Sequence, residues 1–142
     1  MKKLSIVIMS LILVFAMASC GGNNSSGNGD AAGDMISVVI DIDFPDESGI
    51  ADVDDMRIEV ADGSTVLDVL NAYAENNDGE IIMDETSDTP YVTSINGAAA
   101  TAAAGWVYEV NDEMVMDSAD KYVVKNGDKI DWSFETWDDM DD

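Results

Sequence analysis

Apolar residues in this chain repeat at every second position, switch once to a helical period, and then return to a period of two; that single switch most limits the folds open to it. Ile36, Val38 and Ile40 alternate with Ser37, Val39 and Asp41. After an acidic, proline-containing turn, a second extended run covers Arg57 to Val60, so the two read as a hairpin. The helical stretch follows directly. Val66, Leu67, Val69, Leu70, Tyr73 and Ala74 fall on one face, and Thr65 with Asp68 has the spacing of a capping box, which predicts a helix from Thr65 to about Glu75.

Further extended segments are expected at Glu80 to Met83, Tyr91 to Ile95, Trp106 to Asn111, Tyr122 to Val124 and Lys129 to Trp137, with Asn126-Gly127 as a tight hairpin turn between the last two. A lone helix must bury its apolar stripe on strands. The economical solution is an α+β domain: a mostly antiparallel sheet with one main helix packed across one face, of which the β-grasp arrangement is the best-known example.

Upstream of this domain, Lys2 and Lys3 precede an apolar run from Leu4 to Ala16, and Met17, Ala18, Ser19 and Cys20 read as a lipoprotein signal-peptidase box. A run of about 13 residues is too short for a hydrocarbon core of roughly 30 Å but suits a cleavable signal. Residues 1–19 are therefore expected to direct export. Cleavage before Cys20 and acylation there would anchor the protein at the extracytoplasmic face of a bacterial membrane. Ala16-Met17-Ala18 also fits ordinary signal peptidase, and plain secretion with a free thiol is the alternative. Gly21 to Asp34 has no large apolar residue and reads as a tether, leaving Met35 to Asp142 as one domain.

Charge narrows the partners. The chain has a net charge of −24, and without Lys2 and Lys3 only Arg57, Lys121, Lys125 and Lys129 face the 30 acidic residues. Nucleic acid is excluded as a partner because phosphate contacts need Lys or Arg. With no histidine and one cysteine, the chain cannot build a His-based triad, a Cys-His pair or an ordinary zinc site, and no catalysis is expected. Asn76, Asp78, Gly79, Ile81 and Glu85 echo a calcium loop, but Ala74 stands where its first carboxylate belongs, so a plain turn is expected and no metal.

Aromatic residues concentrate in the C-terminal third. Trp106, Tyr108 and Val110 share one strand face, and Ile130, Trp132 and Phe134 share another, while Trp137 falls opposite the latter and is expected to be exposed. Asn96 to Gly105 (NGAAATAAAG) is read as a mobile or briefly helical connection, with a ligand-facing rim of small residues as the alternative.

Four segments carry a resemblance. Asp62-Gly63-Ser64-Thr65-Val66-Leu67-Asp68-Val69-Leu70, Tyr91-Val92-Thr93-Ser94-Ile95-Asn96-Gly97, Gly105-Trp106-Val107-Tyr108-Glu109-Val110-Asn111 and Asn126-Gly127-Asp128-Lys129-Ile130-Asp131-Trp132 together resemble the transcobalamin C-terminal-like family. The resemblance implies the smaller β-rich domain of the cobalamin carriers and a small ligand, with cobalamin or another corrinoid the first candidate, captured for a membrane transporter. It requires no bound cofactor. By motif position it points to Trp106, Tyr108, Asn111 and Trp132 as ligand contacts, with Asn96 and exposed Trp137 as further candidates. This chain has Asn111-Asp112 where the family turns on Asn-Gly, and nothing here corresponds to the carriers' helical domain. A protein-interaction module using a sheet edge or an acidic face is the other reading.

Overall fold

The computed structural model describes residues 33–138. The expected signal, Cys20 with its acylation, nearly all of the tether and the end of the acidic tail lie outside the described residues. The chain runs β1 (Met35–Asp43), β2 (Val53–Ala61), α1 (Val66–Asn76), β3 (Ile81–Asp84), β4 (Tyr91–Ile95), β5 (Ala98–Ala99), β6 (Ala104–Val110), β7 (Glu113–Met114) and β8 (Lys129–Thr136). Five strands form one sheet in the order β2-β1-β8-β6-β7, and β3-β4-β5 form a second, which the sequence did not announce.

Alternation decides how the large sheet is buried. β1 pairs antiparallel with β2, Val38 opposite Ile58, and parallel with β8, Ile40 opposite Ile130 and Ile42 opposite Trp132. β8 pairs antiparallel with β6, setting Trp106 opposite Phe134, Tyr108 opposite Trp132 and Val110 opposite Ile130. Because directly opposed residues share a face, all these side chains point the same way and form the core with Val66, Val69, Leu70, Tyr73 and Ala74 of α1. The opposite face carries Asp41, Asp43, Glu59, Glu109, Asp131 and Glu135.

α1 starts as its sequence predicts. The Thr65 hydroxyl accepts from the Asp68 amide at 3.3 Å while the Asp68 carboxylate accepts from the Thr65 amide at 2.8 Å. Its next unpaired donors explain a correction to the expected topology. The Val66 amide donates to the Tyr122 carbonyl at 3.0 Å and the Leu67 amide to the Ala119 carbonyl at 2.9 Å. The Tyr122 to Val124 segment is thus no hairpin strand; it makes one bridge, Val123 to Thr65, and caps the helix. Asn126-Gly127 turns against β1 instead: the Gly127 amide donates to the Ser37 carbonyl and the Ser37 amide to the Asn126 side chain. That docking launches β8 parallel to β1.

The alanine tract also departs from expectation. Asn96 and Gly97, with φ of 51° and 88°, make a two-residue turn that sets Ile95 opposite Ala98, so the tract forms β5 rather than a helix. Turn chemistry at its start outweighs the helix preference of alanine. Asn111 and Asp112, with φ of 55° and 65°, make the corresponding turn between β6 and β7 without a glycine.

Candidate functional site

Two concavities flank the aromatic strands. The larger is a broad, shallow depression of about 1060 Å³, lined by the short helical turn Asp46–Ser48 with Ile50, by Asn96 to Ala99, and by Thr101, Ala104, Phe134 and Thr136. The smaller, a cleft of about 340 Å³, lies between Tyr91–Val92, Trp106 to Tyr108 and the Met114 to Ala119 segment.

Trp106 builds the floor of the depression from below. Its ring packs edge-on against Phe44 at 5.5 Å and Phe134 at 5.3 Å, and its indole N–H donates to the Ala98 carbonyl at 2.8 Å. Beside Phe134, Gly97, Ala98, Ala99 and Ala104 leave the floor with small side chains, so a flat ligand can approach the backbone closely there. Asn96 stands at the rim, but its side chain is committed elsewhere. Its oxygen accepts from the Glu80 amide at 3.0 Å and its amide donates to the Tyr73 hydroxyl at 3.1 Å. Gly79 makes room for this: a β-carbon there would lie 2.5 Å from the Asn96 oxygen. Asp46 and Glu47 give the rim a negative charge.

The cleft has a different chemistry. Met116 is 91% exposed, and Tyr91 and Met114 are about half exposed, so three large apolar side chains stand at its mouth. The Tyr108 hydroxyl donates to the Asp117 carbonyl at 2.6 Å. Burial first, and then the nearby Asp117 charge, push the Tyr108 phenol up to about 12, so it stays a neutral donor.

The residues expected as ligand contacts therefore separate. Trp106 and Tyr108 line the cleft, Asn96 lines the depression, and Trp132, only 2% exposed, lies in the core against Tyr108. Asn111 serves its turn: its side-chain oxygen accepts from the Lys129 amide at 3.0 Å and its amide donates to Asp128 at 2.9 Å. Trp137 is 42% exposed, as its strand parity predicts, and covers Gly105 on the outer face. Sequence reasoning missed Phe134 as floor and Met114-Val115-Met116 as rim; an apolar run between Glu113 and Asp117 was the available signal.

On the outer face, Lys129 bridges Asp41 at 2.6 Å and Asp131 at 3.1 Å. Burial pushes Asp41 upward, but hydrogen bonds from Lys129 and the Asp55 amide outweigh it and hold the carboxyl below the usual range. Burial raises Asp131, and burial with the neighbouring Asp52 and Asp54 charges raises Asp43. Among the described residues no group of acidic side chains is arranged to hold a metal ion.

Comparison with known proteins places this geometry. The domain of unknown function DUF4430 matches residues 63–136. Haptocorrin, solved in complex with Cbi, is similar at 25% identity and a TM-score of 0.64, covering 73% of this chain; the chain spans only 26% of haptocorrin's length. A candidate metal-binding protein from Ruminococcus gnavus shares the fold at 15% identity and a TM-score of 0.52, over 71% of this chain and 97% of its own. None of the curated proteins matches the chain.

Proposed function

The chain belongs to the DUF4430 family, and from that premise we propose that it is a lipid-anchored, extracytoplasmic binding module that captures a small ligand, a corrinoid, for uptake. The observation that carries the reading is the broad depression floored by Gly97, Ala98, Ala99, Ala104 and Phe134, in a domain similar to part of haptocorrin in complex with Cbi. Its size suits a macrocycle; the 340 Å³ cleft does not. A ligand on such a floor buries one side only, and its other side is left for a transporter or a second protein.

The role is binding without catalysis. The sheet supports a β-grasp assignment, because β1 and β8 run parallel at its centre, β2 and β6 flank them antiparallel, and one helix follows the first hairpin. Trp106 acts here as a support, through its bond to Ala98, rather than as a contact.

Equilibrium dialysis of the purified protein against cobinamide and cobalamin tests the proposal. Saturable binding that Ala99→Trp abolishes and Met116→Ser leaves intact supports it. No binding up to high micromolar concentration overturns it for the isolated protein. Anchoring has its own test, incorporation of labelled palmitate in cells, which Cys20→Ser must remove.

A further inference from the structure

Backbone register exposes a second site, independent of the depression. The Asn111 amide donates to the Lys129 carbonyl at 2.8 Å and the Trp137 amide to the Ala103 carbonyl at 2.9 Å. In an antiparallel pair the residues that exchange such bonds alternate with residues whose backbone groups point away. The β6 residues that bond β8 are therefore 105, 107 and 109, and the backbone groups of Ala104, Trp106, Tyr108 and Val110 point to the other edge. Two bonds on that edge agree: the Thr101 amide donates to the Ala104 carbonyl at 2.8 Å, and the Val115 amide reaches the Tyr108 carbonyl at 3.5 Å.

Between those two bonds the edge is open. β7 pairs only with Glu109 and Val110, and β5 pairs with β4 in the other sheet. Among the described residues nothing accepts from the Trp106 or Tyr108 amide on that side, or donates to the Trp106 carbonyl. Trp106 and Tyr108 line the 340 Å³ cleft, whose other walls include Tyr91, Met114 and Met116. Unpaired strand-edge groups in an apolar cleft are costly unless paired, and an extended main chain presents donors and acceptors at their spacing. At the far edge of the same sheet, β2 is blunted by Asp54, Asp55, Arg57 and Glu59 and by a bulge between Ile40 and Ile42.

We propose that this cleft is a strand-addition site, in which an extended segment of a partner protein, apolar at its centre and flanked by Lys or Arg, pairs with the Trp106–Tyr108 edge of β6. The backbone supplies affinity and the Tyr91, Met114 and Met116 side chains select alternate apolar residues. Charge fixes the flanks. Among the described residues Asp117 is the only charged one lining the cleft, Glu113 adjoins it in β7, and the chain carries −24. An acidic segment is repelled, and so is a second copy of this chain.

The test uses the full chain by amide NMR and hydrogen exchange with a synthetic probe, acetyl-Lys-Val-Thr-Val-Thr-Val-Lys-amide. The free protein is expected to exchange the Trp106 amide faster than the Val107 amide, and saturating probe slows Trp106 and Tyr108 exchange by about tenfold or more. A probe N-methylated on the amides of one edge loses binding, and a Glu-flanked probe binds about tenfold more weakly at low salt. Met116→Ser, at a fully solvated position, removes an apolar contact and weakens the Lys-flanked probe without unfolding the domain or altering its charge. Cobinamide leaves the Trp106 and Tyr108 amides unprotected, which separates this site from the depression. Equal binding of the N-methylated probe, protection of these amides in the free protein, or no protection at millimolar probe overturns the proposal.

Discussion

The indole N–H of Trp106 and the carbonyl of Ala98 meet at 2.8 Å, and through this bond one buried ring supports both concavities. Trp132, on the neighbouring strand β8 and the same sheet face, has an indole N–H that is buried with no partner among the described residues. The two tryptophans should respond differently to Phe. Trp106→Phe loses this buried hydrogen bond on top of the lost ring volume and should cost about 2–4 kcal/mol. Trp132→Phe removes an orphan donor with its volume and should cost about 1–2 kcal/mol less. Urea unfolding of both variants checks the order, and a larger loss at Trp132 would refute it.

Asp112 holds a left-handed backbone, φ 65°, at the second centre of the β6–β7 turn. Asp112→Gly removes that strain and should stabilise the protein by about 0.5–1 kcal/mol. Asn111→Ala should destabilise it by about 1–3 kcal/mol, since it loses the bonds to Lys129 and Asp128 and keeps the strained φ. Thermal melting of the pair should give shifts of opposite sign.

Gly105 is glycine because of Trp137. A β-carbon there would lie 2.7 Å from the ring's Cη2 and Cζ2 atoms. The ring is the far end of a half-exposed side chain, so Gly105→Ala should swing it off the sheet at a cost of about 1 kcal/mol rather than break β6. Tryptophan emission should shift to the red. In the Trp137→Ala background the same substitution should cost little; an unchanged penalty would place the clash elsewhere.

Asp43 sits among Asp52, Asp54, Asp41 and Asp131, and burial with these charges makes its carboxyl hold its proton more tightly in the folded state than in the unfolded one. Ionised Asp43 therefore costs stability at neutral pH, and the cost disappears below the unfolded carboxylate range. Asp43→Asn should stabilise the protein at pH 7 by at most ~0.5 kcal/mol, because solvent screens so exposed a group. The gain should shrink as pH falls through about 4 and vanish near pH 3. An equal gain at both ends of a denaturation series would rule out the electrostatic cause.

Local chemistry was legible in advance. The period of two in Ile36, Val38 and Ile40, the helical face from Val66 to Ala74 and the Thr65–Asp68 box each depend on near neighbours, and each reads directly as an element. The left-handed turns at Asn96-Gly97 and Asn111-Asp112 were written in residue type, although the alanines after the first concealed a strand. Alternation also fixed which face each of Trp106, Tyr108, Trp132 and Trp137 would take. The site was less legible. Trp132 is buried, Asn111 closes a turn and Asn96 braces Tyr73, because aromatic and amide residues serve cores and turns as readily as ligands.

By itself the sequence determined the single helix, the alternating sheet and the acidic surface, since period and charge are properties of the chain order alone. Only the tertiary structure decided that Tyr122 and Ala119 spend their carbonyls on the N-terminus of α1 instead of on a hairpin. It also decided that β8 joins β1 in parallel, and that β7 stops short of the middle of β6. Those outcomes turn on which distant donor meets which distant acceptor, and hydrogen-bond satisfaction across the fold is not a local property of any segment. The unpaired Trp106 amide and carbonyl and the Tyr108 amide are what that pairing left over.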